Sequence, residues 1–257
     1  MASWIQKRIH GWNYLSTAIR CSLAGPWGVM FFSHFLRSQF SSPSGWFGSL
    51  VVAPFLNVTN MRSIDTGIEL LAPRVDDRVL DVGFGGGYSL LALAKRLNHG
   101  AVVGVDHSDD MVNIAANLIR EKRLSSRVRV CRGDVAKLPF PRGSFDKVLT
   151  VNTIYYWPNL RAGLREIARV LKSGGRLAVV FRSPWNLRLF TLGWEEFTLY
   201  EPNEVLQAMR DAGFRVLELV HRDQWLIPDT LVVVGECRKR QMQRPKRRRA
   251  QSSSMDA

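Results

Sequence analysis

The chain has 257 residues, 46% of them hydrophobic and 23% charged, which supports one large domain or a domain with an appendage and excludes a disordered chain. Its net charge of +14 is unevenly spread: residues 1–62 hold five basic residues and no acid, residues 63–237 hold 23 basic and 21 acidic residues, and residues 238–257 hold eight basic residues against Asp256. The middle is therefore close to neutral, which disfavours a nucleic-acid surface running across the whole fold. Cys21, Cys131 and Cys237 lie far apart, without CxxC or Cys/His spacing. Neither a metal site nor a disulfide framework is indicated, and this fits a reducing compartment.

Residues 1–62 are rich in aromatics, among them Trp4, Trp12, Trp27, Phe35 and Trp46, and read as an N-terminal cap or membrane-interface segment. The apolar run 21–36 is sixteen residues long, contains Pro26 and is bracketed by Arg20 and Arg37. It falls short of the roughly 20 residues that span a bilayer and does not read as a secretory signal. From residue 78 the pattern becomes regular. Strands are predicted at Arg78–Gly83, Ala101–Val105, Arg127–Cys131, Phe145–Val151, Arg176–Phe181, Arg215–His221 and Thr230–Gly235. Helices are predicted at Tyr88–Leu97, Asp109–Arg123, Leu160–Leu171 and Glu201–Ala212, with Ser108 as an N-cap and Gly174-Gly175 as a C-cap. Alternating charged and apolar residues place the third strand near a sheet edge. The last two strands, joined through Pro228, read as an antiparallel edge hairpin. Strands alternating with helices imply a parallel sheet covered on both faces. The tail from Arg238 is of low complexity and reads as disordered.

Val79–Ser89 reads VLDVGFGGGYS, a strand running into a glycine turn and a helix. Ligands of open α/β sheets sit beyond the carboxyl ends of the strands at such a turn. Glycines there permit positive φ and close approach of a ligand. Dinucleotide sites want G-x-G-x-x-G/A, but the last small position falls on Tyr88 or Leu90, depending on frame. The spacing here is instead Gly83, Gly85 and Gly87, with Asp81 two residues ahead.

This combination resembles motif I of the class I S-adenosylmethionine-dependent methyltransferases. The resemblance continues through VGVDH (103–107), GDVAKLPF (133–140), SFDKVLTVNTIYYWP (144–158) and LREIARVLKSGGRLAVV (164–180), in order along residues 64–237. It is nearest to the small-molecule, ubiquinone/menaquinone C-methyltransferase-like subgroup. It implies an α/β, Rossmann-like doubly wound, mostly parallel seven-stranded sheet with an antiparallel edge hairpin, plus an N-terminal helical cap. The implied cofactor is S-adenosyl-L-methionine. Gly83, Gly85 and Gly87 would shape the loop under its methionine part, and Asp81 would reach its amino group. Asp106 would accept both ribose hydroxyls, with His107 a neighbour of the cofactor. Asp134 would accept from the adenine amino group beside the Val135 backbone, and Asn152 would open onto the methionine moiety. Asp106 read as a mere helix cap and Asp134 or Asn152 read as turn residues are the competing assignments.

No general base announces itself; Tyr155, Tyr156 and His107 are the candidates nearest the chemistry. The [DNS]-P-P-[YFW] signature of enzymes that methylate base amino groups is missing, since the matching stretch is Asn152-Thr153-Ile154-Tyr155. Cys131 lies inside a predicted strand and reads as a buried small hydrophobe, not a nucleophile. The expected acceptor is a small hydrophobic molecule: a quinone, a lipid or an aromatic metabolite. The alternatives are an RNA or protein methyltransferase docking through its basic tail, and a cofactor-binding relative that transfers another group. The tail Arg238–Arg249 could sit on anionic lipid, so the expected location is cytoplasmic, peripheral to the inner face of a membrane. Three parts follow: a cap over 1–62, a cofactor-binding domain over 63–237 and a basic tail over 238–257.

Overall fold

The computed structural model describes residues 53–184, 198–222 and 230–238, with side chains from Asn60 onward. The N-terminal aromatic segment with Trp46, the apolar stretch containing Trp194, the connection through Pro228 and the tail beyond Arg238 lie outside the described residues. Helix α1 (Ala53–Leu71) leads into a regular alternation: β1 (Arg78–Val82), α2 (Tyr88–Arg96), β2 (Ala101–Asp106), α3 (Asp109–Glu121) and β3 (Val128–Arg132). The second half comprises β4 (Phe145–Val151), a single 3-10 turn (Ile154–Tyr156), α4 (Leu160–Val170), β5 (Leu171–Arg182), α5 (Pro202–Asp211), β6 (Phe214–Arg222) and β7 (Thr230–Cys237).

The seven strands form one sheet in the order β3-β2-β1-β4-β5-β7-β6. Neighbours are parallel except β7, which runs antiparallel to both β5 and β6. The strand order reverses between β1 and β4, so the carboxyl ends of β1, β2 and β4 open a crevice there. Alternation along the strands sorts the core into two halves. Leu80, Val82, Val179 and Phe181 face α4 and α5, packing with Leu164, Ile167, Val205 and Met209. Val79, Val102, Val151 and Val180 face the other helices, packing with Ile64, Leu90, Met111 and Ala115. The near-continuous apolar runs of β1, β2 and β5 follow from burial on both faces.

Three boundaries differ from expectation. The line between cap and domain at residues 62 and 63 falls inside α1, whose Ile64, Ile68 and Leu71 repeat at helical spacing and are buried. Charge partition cannot see that continuity. Gly174-Gly175 does not cap a helix: α4 ends at Val170, with Leu171 already extended. The register jumps from Phe145↔Leu171 to Lys147↔Arg176, and the glycines form the resulting bulge. Finally, α3 stops at Glu121 rather than Arg123. Arg123 itself takes the left-handed conformation usually given to glycine (φ 56°), and Leu124 N–H then donates back to the Ile119 carbonyl.

Candidate active site

The glycine turn follows β1 directly. Gly83 has φ 75°, and a Cβ there would lie 2.4 Å from Thr153 Cγ2, so backbone and space both demand glycine. Gly85 has φ 53° but meets nothing within 4 Å, leaving open space above the turn. Gly87 is the N-cap of α2, where a Cβ would lie 3.2 Å from Leu118 of α3. Between them, Phe84 is buried against Gly104, where a side chain on β2 would collide with its ring.

Two carboxylates flank this turn, each at the end of a strand. Asp81 on β1 is 1% exposed, and its Oδ2 is buried without a hydrogen-bond partner. Burial pushes its pKa up to about 7, against a hydrogen bond from Ser89 and with a smaller push from the Asp106 charge. Asp106 ends β2 and is also buried. Its Oδ2 accepts from Gly85 N–H (3.1 Å) and its Oδ1 from Ser108 N–H (3.1 Å). Asp106 therefore holds the glycine turn in place and leaves further lone pairs on both oxygens. Ser108, not Asp106, caps α3 by accepting from Met111 N–H. His107 is exposed, 3.4 Å from Asp106 through Nδ1, and that contact holds its pKa above the usual histidine value.

Asp134 lies in the loop after β3 and is exposed. Its Oδ1 accepts from Ala136 N–H (2.8 Å), a local turn. Val135 is buried beside it. Asn152 follows β4 directly and lies in the left-handed region (φ 55°), the kind of conformation that collects at binding sites. Its amide donates to Asn60 Oδ1 of α1 (2.8 Å). Tyr155 is 4% exposed, and its phenolic oxygen accepts from Arg182 N–H, tying the 3-10 turn to the end of β5. Burial pushes the Tyr155 hydroxyl far above its ordinary range, which unfits it as a base near neutral pH. Tyr156 is 37% exposed on the same turn. Cys131 is half-buried in β3, and burial pushes its thiol up.

The structure thus gathers Asp81, the three glycines, Asp106, His107 and Asn152 around one crevice. Sequence reasoning missed Thr150, whose hydroxyl donates to the Val82 carbonyl (3.1 Å) and pairs with Thr153 under Gly83. A fully buried threonine in the otherwise apolar run of β4 is the signal that could have found it. It also missed Asn60 and Asp65 of α1, for which no motif exists.

A sheet in this order, with a glycine turn after β1 and an acid ending β2, has the Rossmann-like fold of the class I S-adenosylmethionine-dependent methyltransferases. Residues 79–175 match the family model described as a methyltransferase domain. The chain is similar to 2-methyl-6-phytyl-1,4-hydroquinone methyltransferase 2, chloroplastic, of Oryza sativa subsp. japonica, with 34% identity over 145 residues, 55% of this chain and 40% of that protein. It is similar to a demethylmenaquinone methyltransferase of Lactobacillus johnsonii, with 32% identity over 134 residues, 52% of this chain and 55% of that protein. The chain therefore spans about half the length of these relatives, or less. Its fold matches a solved SAM-dependent methyltransferase from Aquifex aeolicus with a TM-score of 0.57 and 24% identity, covering 68% of this chain and 89% of that one.

Proposed function

We propose that the protein transfers a methyl group from S-adenosyl-L-methionine to a small hydrophobic acceptor of the quinone or quinol type. The observation that carries the cofactor is Asp81: a buried carboxylate oxygen with no partner, facing a turn opened by glycines, fits a cationic amino group. Asp106 fits a ribose diol through its remaining lone pairs, and the Gly85 approach keeps the backbone low beneath the ligand. Asp134 and the Val135 backbone are assigned to the adenine edge, and Asn152 to the methionine end.

When bound, the cofactor supplies an electrophilic methyl group on a sulfonium sulfur. The chain supplies position and dryness. Asp81 and Asp106, at the ends of neighbouring strands, would hold the ligand by charge and hydrogen bonding; on the order of 7–11 kcal/mol of a barrier can come from such alignment. Tyr156, exposed on the turn after β4, is assigned to the acceptor side, with the buried Tyr155 and Trp157 packed behind it. His107 stands on the ribose side of Asp106, so we assign it to cofactor binding rather than to the acceptor's proton. No described side chain is assigned as a base.

The acceptor class is supported by the relatives named for hydroquinone and menaquinone methylation. It is also supported by the acid-free, aromatic composition of residues 1–62. The basic tail is assigned to anionic lipid on the cytoplasmic face of a membrane, where an apolar acceptor resides. Among the described residues no helix is long and apolar enough to cross a membrane. The test of activity is product mass: a methyl increment on a quinol that disappears in Asp106→Ala. The test of location is vesicle sedimentation at low salt with and without residues 238–257, where equal partitioning would remove the lipid assignment.

A further inference from the structure

We infer that α1 is a strap that sets the shape of the cofactor crevice, with Asn60 and Asp65 as positioning residues. This rests on the proposed cofactor reading. Helix α1 lies outside the matched stretch 79–175 and carries none of the glycine-turn motif. It packs across β4, β5 and β7 on one face of the sheet. Gly67 brings it so close that a Cβ would sit 2.6 Å from Val180 Cγ2 and 3.1 Å from Leu149 Cδ1. Ser63 is fully buried, and its hydroxyl bonds Thr230 of β7 (2.9 Å). The helix is thereby fixed in position on the sheet.

From that fixed position α1 reaches the crevice twice. Tyr88 is the first residue of α2, immediately after Gly87, and its hydroxyl donates to Asp65 (3.1 Å to Oδ2 and 3.3 Å to Oδ1). At the other side, Asn60 Oδ1 accepts from the Asn152 amide (2.8 Å). That bond uses the donor end of the Asn152 side chain and leaves its Oδ1 as the acceptor presented near Tyr155 OH (3.5 Å). Asn152 is held in a left-handed conformation that asparagine tolerates but does not prefer, so an outside restraint on its side chain matters. One rigid helix therefore fixes the exit of the glycine turn and the orientation of the β4 terminal amide together.

The test is S-adenosylmethionine binding by calorimetry, beside thermal melts of the cofactor-free protein, for Asn60→Ala, Tyr88→Phe, Asp65→Ala and the Tyr88→Phe/Asp65→Ala pair. Each single variant is expected to raise Kd about three- to tenfold, the ratio that corresponds to the net worth of one hydrogen bond. The double variant is expected to match Tyr88→Phe alone, because both remove one bond. Asn60→Asp, which keeps the acceptor, is expected to restore Kd to within about twofold. Melting temperatures that fall while Kd stays at the wild-type value would overturn the strap and leave α1 as packing only. Wild-type protein that binds no S-adenosylmethionine would overturn the cofactor reading, and the strap with it; variants that all bind like a binding wild type would overturn the strap alone.

Discussion

Replacing Asp81 by asparagine should make the cofactor-free protein more stable and the cofactor weaker-binding, with both effects dependent on pH. Burial raises this carboxyl from 3.8 to about 7. The native state therefore holds a proton between those values that the unfolded chain has already released. Stability tied to this group is fully present below about pH 4 and is lost as pH rises towards 7. Above that range the ionised, buried carboxylate costs about 4 kcal/mol, at about 1.36 kcal/mol for each tenfold change in its proton affinity. Asp81→Asn removes that cost, so its melting temperature at pH 8 should exceed the wild type by up to about 8–16 °C, at about 2–4 °C per kcal/mol. The difference should close as pH approaches 4. A cationic amino group beside Asp81 draws the carboxyl back to its ionised form, so binding at pH 5.5 should expel close to one proton. Titration of S-adenosylmethionine in two buffers of different ionisation enthalpy reads that proton directly. In Asp81→Asn the release should vanish and Kd should rise roughly ten- to a hundredfold, the range for a charge-assisted hydrogen bond. Equal heats in the two buffers at pH 5.5, or an Asp81→Asn protein less stable than wild type at pH 8, would show that Asp81 is not a protonated, buried partner of the cofactor's amino group.

Further expectations concern the neighbouring geometry. Gly83→Ala should abolish cofactor binding, because φ of 75° and the Thr153 methyl 2.4 Å away leave a methyl no place; calorimetry checks it. Tyr155→Phe removes the acceptor for a Arg182 N–H and should destabilise by about 1–3 kcal/mol in denaturant unfolding. Its kcat profile between pH 6 and 9 should keep the wild-type shape, since this hydroxyl does not titrate there. Arg123→Gly should raise stability by about 0.5–1 kcal/mol, seen as a higher melting temperature, because a left-handed backbone strains any residue with a Cβ.

The alternation of strands and helices was legible because β1, β3 and β4 run into Gly83, Gly133 and Asn152 and the helices between strands carry apolar stripes. The crevice was legible for the same reason as any phosphate-free nucleoside site: Asp81, Gly83, Gly85 and Asp106 lie at strand ends within one contiguous stretch. What could not be read were contacts between distant segments. Asn60 and Asn152 are 92 residues apart, and Asp65 and Tyr88 are 23 apart, and no periodicity links them. The second function of Asp106, holding Gly85 N–H, was likewise invisible, because it depends on how the turn folds back over β2. The misplaced helix cap at Gly174-Gly175 shows the limit of a local rule. Glycines after a helix usually terminate it, but here the chain enters β5 first and the pair absorbs a register jump with β4.

Methyl transfer to a quinol is measured most directly with cofactor labelled in its transferable methyl, incubated with the full chain and a demethylated quinol, followed by mass analysis of the organic and aqueous phases. Label should appear in an apolar quinol product for the wild type and not for Asp106→Ala. Label confined to RNA or protein, or no transfer by a chain that binds the cofactor, would contradict methyl transfer to a quinol.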